Sequence, residues 1–211
     1  MIDLNFDDNI EEVFTTKKPK SKSVAAKAKS AQKALLRKEA AKEILDAIGG
    51  IPAPGVFIDT ISNGQSNGGG FYEIIRDEWG VVNYLSIATW IISREYIDML
   101  FDDLKTGKLL GLTFVISNRM SQLGKGHGPN FNRLKTLAFA DQRVNFRVCN
   151  SHAKVYCLNN GIDFITISGS ANWSQNPRIE NYTISNDKSR HDFHATWMNK
   201  IAVLKKFYDK E

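Results

Sequence analysis

The chain has 211 residues, enough for one good-sized domain and a tail, and its 42% hydrophobic and 10% aromatic content excludes an intrinsically disordered protein. A formal net charge of +5 leans toward a polyanionic partner. The two cysteines, Cys149 and Cys157, form no CxxC pair, which argues against a disulfide framework and fits a reduced, cytoplasmic protein.

The first twelve residues set Asp3, Asp7, Asp8, Glu11 and Glu12 around Leu4, Phe6 and Ile10, an acidic amphipathic start with none of the pattern of a secretory leader. No apolar stretch approaches the roughly 18 residues of a membrane span. From Lys17 to Lys42 the sign reverses, and a run of lysines with Arg37 faces the single acid Glu39. Pro19 and the serines mark the first half of this run as a linker; from Ala25 the Ala/Lys/Leu content favours a helix that Gly49-Gly50 ends. Residues 1–50 therefore form an acidic and then basic N-terminal segment, and 51–211 form the folded domain. The basic run reads either as a solvated linker and exposed helix or as an arm that adds nucleic-acid affinity.

Within the domain, Val56–Ile61 reads as a strand and Gly64–Gly70 as a glycine-rich loop without a phosphate-loop pattern. A strand over Val82–Ala88 leads to a helix that Ser93 can cap and Gly107 ends, with Ile97, Leu100, Phe101 and Leu104 on one face. Leu109–Ser117 is an apolar strand, expected to be buried on both faces. A loop over Asn118–Pro129 holds Arg119, Lys125 and His127, and a short helix over Phe131–Ala140 leads to a strand at Arg143–Cys149. Strands His152–Leu158 and Ile162–Ser168 flank the turn Asn159-Asn160-Gly161. A short strand Tyr182–Ser185 precedes a final helix with Phe193, Trp197, Ile201 and Leu204 inward. Strand–helix–strand units followed by a hairpin imply an α/β domain with a mixed β-sheet flanked by helices.

The chemistry concentrates in one stretch: His152-Ala153-Lys154, Gly169-Ser170-Ala171-Asn172 and Glu180-Asn181. Strand alternation puts His152 and Lys154 on one face. A neutral imidazole can attack phosphorus, and a carboxylate on its other nitrogen, here Glu180, would support the charge that forms. Lys154 supplies point charge to phosphate oxygens, and Ser170 and Asn172 add neutral donors. These residues can alternatively be no more than polar decoration of an exposed strand.

The strings His152-x-Lys154 and Gly169-Ser170-x-Asn172 resemble the motif of the phospholipase D superfamily, and Ile179-Glu180-Asn181 resembles the element that supplies the carboxylate partner in its small nucleases. The likeness runs more loosely from about Ile51 to the end and leaves out residues 1–50. It implies a phospholipase D-like domain and a metal-independent phosphodiesterase needing no cofactor, with His152, Lys154, Ser170, Asn172 and Glu180 catalytic. Two features depart from the pattern: Asn159 occupies the aspartate position, and the hairpin is longer by three residues. Asp163 takes the aspartate's place only in a re-registered hairpin. Members tied to restriction and helicase systems also have longer hairpins without the aspartate. The family's double displacement needs two histidines and this chain has one HxK, so the resemblance implies a homodimer that pairs His152 from each subunit.

With one HxK, a basic arm and no membrane-binding segment, the expected activity is a nuclease cleaving DNA. The alternatives are a non-catalytic nucleic-acid- or protein-binding module and a phosphodiesterase acting on phospholipid. Arg119, Lys125 and Arg178 are candidate substrate-binding residues. Trp173 reads as a core anchor, while Thr89 and Trp90 end a strand whose edge can border the site. His191 and His194 stand three apart on a helix; they read as surface or capping histidines, or as two metal ligands short of a third. No metal is expected.

Overall fold

The computed structural model describes residues 24–62, 66–174 and 178–201; the acidic start, the first part of the basic run, Gly64 and Leu204 lie outside the described residues. In chain order the elements are α1 (Val24–Ala47), β1 (Val56–Ser62), α2 (Gly68–Trp79), β2 (Tyr84–Thr89), α3 (Arg94–Thr106), β3 (Leu112–Ser117), α4 (Arg119–Gln122), α5 (Gly124–Ala140), β4 (Val144–Cys149), β5 (Val155–Asn159), β6 (Phe164–Gly169), β7 (Glu180–Asn186) and α6 (Lys188–Lys200). The strands make one seven-stranded sheet in the order β1-β7-β6-β5-β2-β3-β4. The segment β2-β3-β4 is parallel and every other pair is antiparallel, so the expected mixed sheet flanked by helices is the observed fold.

The two faces are covered unequally. On one, α1, α2, α3 and α5 pack Ala41, Leu45, Phe71, Ile75, Ile97, Leu100 and Leu134 onto Leu85, Ile87, Phe114, Ile116 and Ile167. On the other, among the described residues, α6 lays Met198 over Ala88, Val115, Val155 and Cys157, with Trp197 and Ile201 packed beside it. Strand β3 shows the consequence of burial on both sides: all six of its residues are buried, with Phe114 and Ile116 in one cluster and Val115 in the other. Trp173 is the expected core anchor, fully buried against Tyr72, Tyr96 and Tyr156 at ring separations of 5.9, 5.7 and 5.5 Å.

Four local expectations change. Within the expected glycine loop, Gly68–Gly70 form the first turn of α2, capped by Asn67, whose side chain accepts from Gly70 N at 3.1 Å. Glycine is a poor helix former, but close packing requires it here. A Cβ at Gly68 would collide with Trp173 and Tyr156, and one at Gly69 with Tyr96. Likewise, 119–140 is mostly helix rather than a loop and a short helix: α4 and α5 occupy it, with Pro129 inside α5. Burial of Phe131, Leu134 and Ala138 along α5 outweighs the glycines and the proline.

Strand β5 begins at Val155, leaving His152–Lys154 in an irregular segment ahead of the ladder. Its carbonyl tie is Lys154 O, which accepts from Gly169 N at 3.1 Å. Finally, α6 keeps Trp197 and Ile201 packed on the core as expected but adds His191 and Met198 and leaves Phe193 out. His191 and Met198 are buried, Trp197 is half-buried and Phe193 is 67% exposed. Asp187 caps the helix by accepting from Arg190 N, and His191 then rests on the Phe164 ring at 5.3 Å.

Candidate active site

The motif residues converge at one end of the sheet. Antiparallel pairing brings the start of β5 beside the end of β2 (Ala88↔Val155) and the end of β6 (Val155↔Ser168). The end of β6 then meets the start of β7 (Gly169↔Tyr182), and the start of β7 meets the end of β1 (Ser62↔Glu180). This is also the carboxyl end of the parallel strands β2, β3 and β4, where open α/β sheets place their ligand crevices.

His152 is exposed at this end, and its ring lies against Trp90 with centroids 5.0 Å apart. Lys154 is 7% exposed and turns its Nζ back on the histidine, 3.0 Å from Nδ1, 3.4 Å from Nε2 and 2.8 Å from the His152 carbonyl oxygen. Burial pulls the Lys154 ammonium below the usual lysine range, and the Glu180 carboxylate opposes that shift. An ammonium only donates, so the ring nitrogen facing it presents its lone pair.

Glu180 is buried at the first position of β7 and accepts a short hydrogen bond from Ser170 Oγ; Asn181 N donates to the same hydroxyl at 3.1 Å. The loop after β6 can pass this close because position 169 is glycine: a Cβ there would collide with the Asn181 carbonyl oxygen. Asn172 is buried behind the loop, its Oδ1 accepting from Thr89 Oγ1 at 3.3 Å, and Trp173 N donates to the same threonine at 3.4 Å. Thr89 and Trp90 thus border the site as expected. The carboxylate stands against Ser170 and acts electrostatically on Lys154, an arrangement in which it is tied to those two groups as well as being a candidate partner for the histidine.

The candidate substrate residues share this end. Arg119, exposed, opens α4 directly after β3; Lys125 falls in the first turn of α5; Arg178 is exposed in the connection between β6 and β7. The aspartate position does not share it. Asn159 ends β5 at the opposite end of the sheet, paired with Tyr84 and Phe164. Asp163, one candidate substitute, accepts there from Asn186 Nδ2 at 2.7 Å. His191 lies on the buried side of α6, and burial holds its imidazole below the usual histidine range against the pull of Asp192. His194 Nδ1 accepts from Trp197 Nε1 at 3.0 Å. Among the described residues no group of three or more histidine, cysteine, aspartate or glutamate side chains could hold a metal ion.

Sequence reasoning missed the floor of the site. Ser66 Oγ and Tyr182 Oη lie 3.2 Å apart, the Tyr182 hydroxyl donates to Ser66 O at 3.0 Å, and burial pushes that phenol up to about 12. Asn67 Oδ1 accepts from Tyr96 Oη at 2.8 Å, and its Nδ2 donates to Ser174 O at 3.3 Å. The available signal was Asn67 as a helix cap, hidden by the three glycines that follow it.

No protein-family model matches the chain, and no curated protein does. Among solved structures, it is similar to phosphatidylserine synthase from Haemophilus influenzae Rd KW20, with a TM-score of 0.51, 13% identity and 76% of this chain covered. It is also similar to NucT from Helicobacter pylori (TM-score 0.46, 13% identity, 69% of this chain) and to polyphosphate kinase from Porphyromonas gingivalis (TM-score 0.47, 14% identity, 81% of this chain). The chain spans 43% of the synthase and 28% of the kinase, against 96% of NucT. Among the described residues no helix is long and apolar enough to cross a membrane.

Proposed function

We propose, from the phospholipase D-like fold of this chain and the residues gathered at one end of its sheet, that it is a metal-independent phosphodiesterase, a nuclease cleaving DNA as a homodimer. The observation that carries the reading is the exposed His152 imidazole with the buried Lys154 ammonium 3.0 Å from its Nδ1. Ser170, held by Glu180, stands on the adjoining loop.

In this reading a bound phosphodiester competes for the ammonium. Lys154 leaves the ring for the non-bridging oxygens, and the imidazole lone pair is released toward phosphorus. Attack forms the P–N bond of a phosphohistidine and breaks one P–O ester bond, with His152 of the partner subunit delivering the proton to the departing oxygen. Water then attacks phosphorus, giving up its proton to that second histidine, and the P–N bond breaks. Ser170 and Asn172 donate to the phosphoryl oxygens, and Glu180 offsets the positive charge that develops. The net basic charge and the cations Arg119, Lys125 and Arg178 at the same end favour a nucleic acid over a lipid surface. Two free cysteines are compatible with the cytoplasmic setting proposed here.

The test is DNA cleavage in excess EDTA by the wild type and by His152→Ala. Persistence in EDTA, with loss in the variant, supports the mechanism. Cleavage that EDTA abolishes and His152→Ala leaves intact overturns it. DNA binding without turnover of DNA, phospholipid or a small diester would assign the chain to binding alone.

A further inference from the structure

Helix α1 is one continuous element of 24 residues, and its second half is built into the domain. Ala41 and Leu45 are buried in the main core, Arg37 stacks over the Tyr96 ring at 5.4 Å, and Lys38 Nζ pairs with Asp77 at 2.6 Å. The direction of the helix follows from its two ends. Beyond its C-terminus, Pro52 O accepts from Asn186 Nδ2 at 3.0 Å, at the end of the sheet opposite the active site. At Arg37 it crosses Gly70, in the first turn of α2, whose cap Asn67 belongs to the floor of the site. Residues 24–36 therefore continue past that crossing toward the active-site end, for about 20 Å at the helical rise.

Charge divides the helix at the same place. The docked half, 37–47, holds Arg37, Lys38 and Lys42 against Glu39, Glu43 and Asp46, and Lys42 is satisfied within it by Asp46 at 2.6 Å. The first half, 24–36, holds Lys27, Lys29 and Lys33 and no acid. Lys29 and Lys33 are four apart, a like-charge spacing that opposes the helix until a polyanion neutralises it. A solvated helix would gain from interspersed acids, as the docked half has.

We propose that residues 24–36 of α1 form a second, non-catalytic polyanion-binding element: an arm that holds the phosphate backbone of a long nucleic acid beyond the segment seated at His152. The proposal rests on the nucleic-acid reading above. It makes the protein discriminate by substrate length, because a small diester reaches His152 without touching the arm. A duplex strand offers about six phosphates over ~20 Å, so three lysines have partners to spare.

The experiment uses the full chain with Lys27, Lys29 and Lys33 all changed to Gln. The control is Lys105→Gln with Lys108→Gln, the same kind of charge loss at the far end of the sheet. Binding of a 20-base-pair duplex is followed by fluorescence anisotropy across salt concentrations in a His152→Ala background, which prevents cleavage. Counterion release predicts that the arm variant lowers the slope of log affinity against log salt by about 2 to 3, with at least a tenfold weaker affinity at 0.1 M salt. The control moves little. With His152 restored, turnover of bis(p-nitrophenyl) phosphate by the arm variant matches the wild type while KM for the duplex rises. An unchanged slope, or a change no larger than the control's, overturns the arm. So does an unchanged slope together with a drop to half the native mass when exposed Leu35 and Leu36 are changed to Ser, which makes α1 a contact between copies. If no diester is cleaved but the slope falls as expected, the hydrolase reading fails and the arm stands.

Discussion

The two ends of the sheet are both rich in polar side chains, but they use them differently. At the hairpin end, Asn186 donates to Pro52 O and Asp163 and accepts from Phe164 N at 2.9 Å, and Asn160 Oδ1 accepts from Ile162 N and Asp163 N at 2.9 and 2.8 Å. Those groups satisfy one another and close the turn. At the other end His152 is exposed, Lys154 is a desolvated ammonium resting on a ring, and Arg119 and Arg178 stand in solvent. One end spends its polar groups on the fold. The other keeps positive charge facing outward, which costs stability unless a ligand uses it.

The sharpest way to break the comparison is Lys154→Ala. If the ammonium serves phosphate oxygens that gain charge in the transition state, kcat for a small diester falls on the order of a thousandfold. Urea denaturation should show no loss of stability, because the change removes a partly desolvated charge. Lys154→Arg sharpens it through pH. Burial lowers the Lys154 pKa, so wild-type activity declines on the alkaline side at a lower pH than a free lysine's range near 10.4 would set. The arginine variant, charged throughout, loses that alkaline limb. A limb that stays in place assigns the titration to another group and removes Lys154 from the phosphate.

Much of this division was legible in the sequence, and the exceptions have a common cause. The motif strings pointed to His152, Lys154, Ser170, Asn172 and Glu180, which the fold brings to one end of the sheet, because such motifs are specified locally, by identity and spacing. Strand β3 was legible because burial on both faces leaves no alternation to misread. Helix α2 was not: its glycines signal a loop in isolation, and only Trp173, Tyr156 and Tyr96 from distant segments explain them. The inward face of α6 was read in part: Trp197 and Ile201 pack on the core, but a buried histidine carries no apolar signal and Phe193 is left 67% exposed. The site's remaining polar floor joins Ser66 to Tyr182 across 116 positions, a pairing that no periodicity reveals.

A smaller effect tests the hairpin end. Asn186→Ala leaves the Pro52 carbonyl and the Phe164 amide without partners in a position that is 4% exposed, and should cost about 2 to 3 kcal/mol of unfolding free energy. The urea midpoint reports this directly. If the protein is the diesterase proposed, its kcat should remain within about twofold of wild type, since no atom of this cluster reaches the His152 end. A tenfold loss of kcat at full folding would mean that the two ends are coupled through β7, which carries Asn186 at one terminus and Glu180 at the other.

The smallest expected effect bears on the departure that most weakens the likeness to the phospholipase D motif. Asn159→Asp restores the aspartate at its motif position. If that position acted on the chemistry, the change should raise kcat. Asn159 lies at the last position of β5, paired with Tyr84, and its carbonyl accepts from Asn83 N at 2.8 Å. Five strand residues separate Lys154 from the hairpin, about 16 Å at the rise of a strand, with the sheet between. Across that distance one charge at the half-buried end of β5 is largely screened at physiological salt. The expected outcome is a kcat within about twofold of wild type, read on the small diester so that nucleic-acid affinity does not enter. A tenfold gain would show that the hairpin end takes part in catalysis after all, and the division between a structural and a reactive end of the sheet would have to be withdrawn.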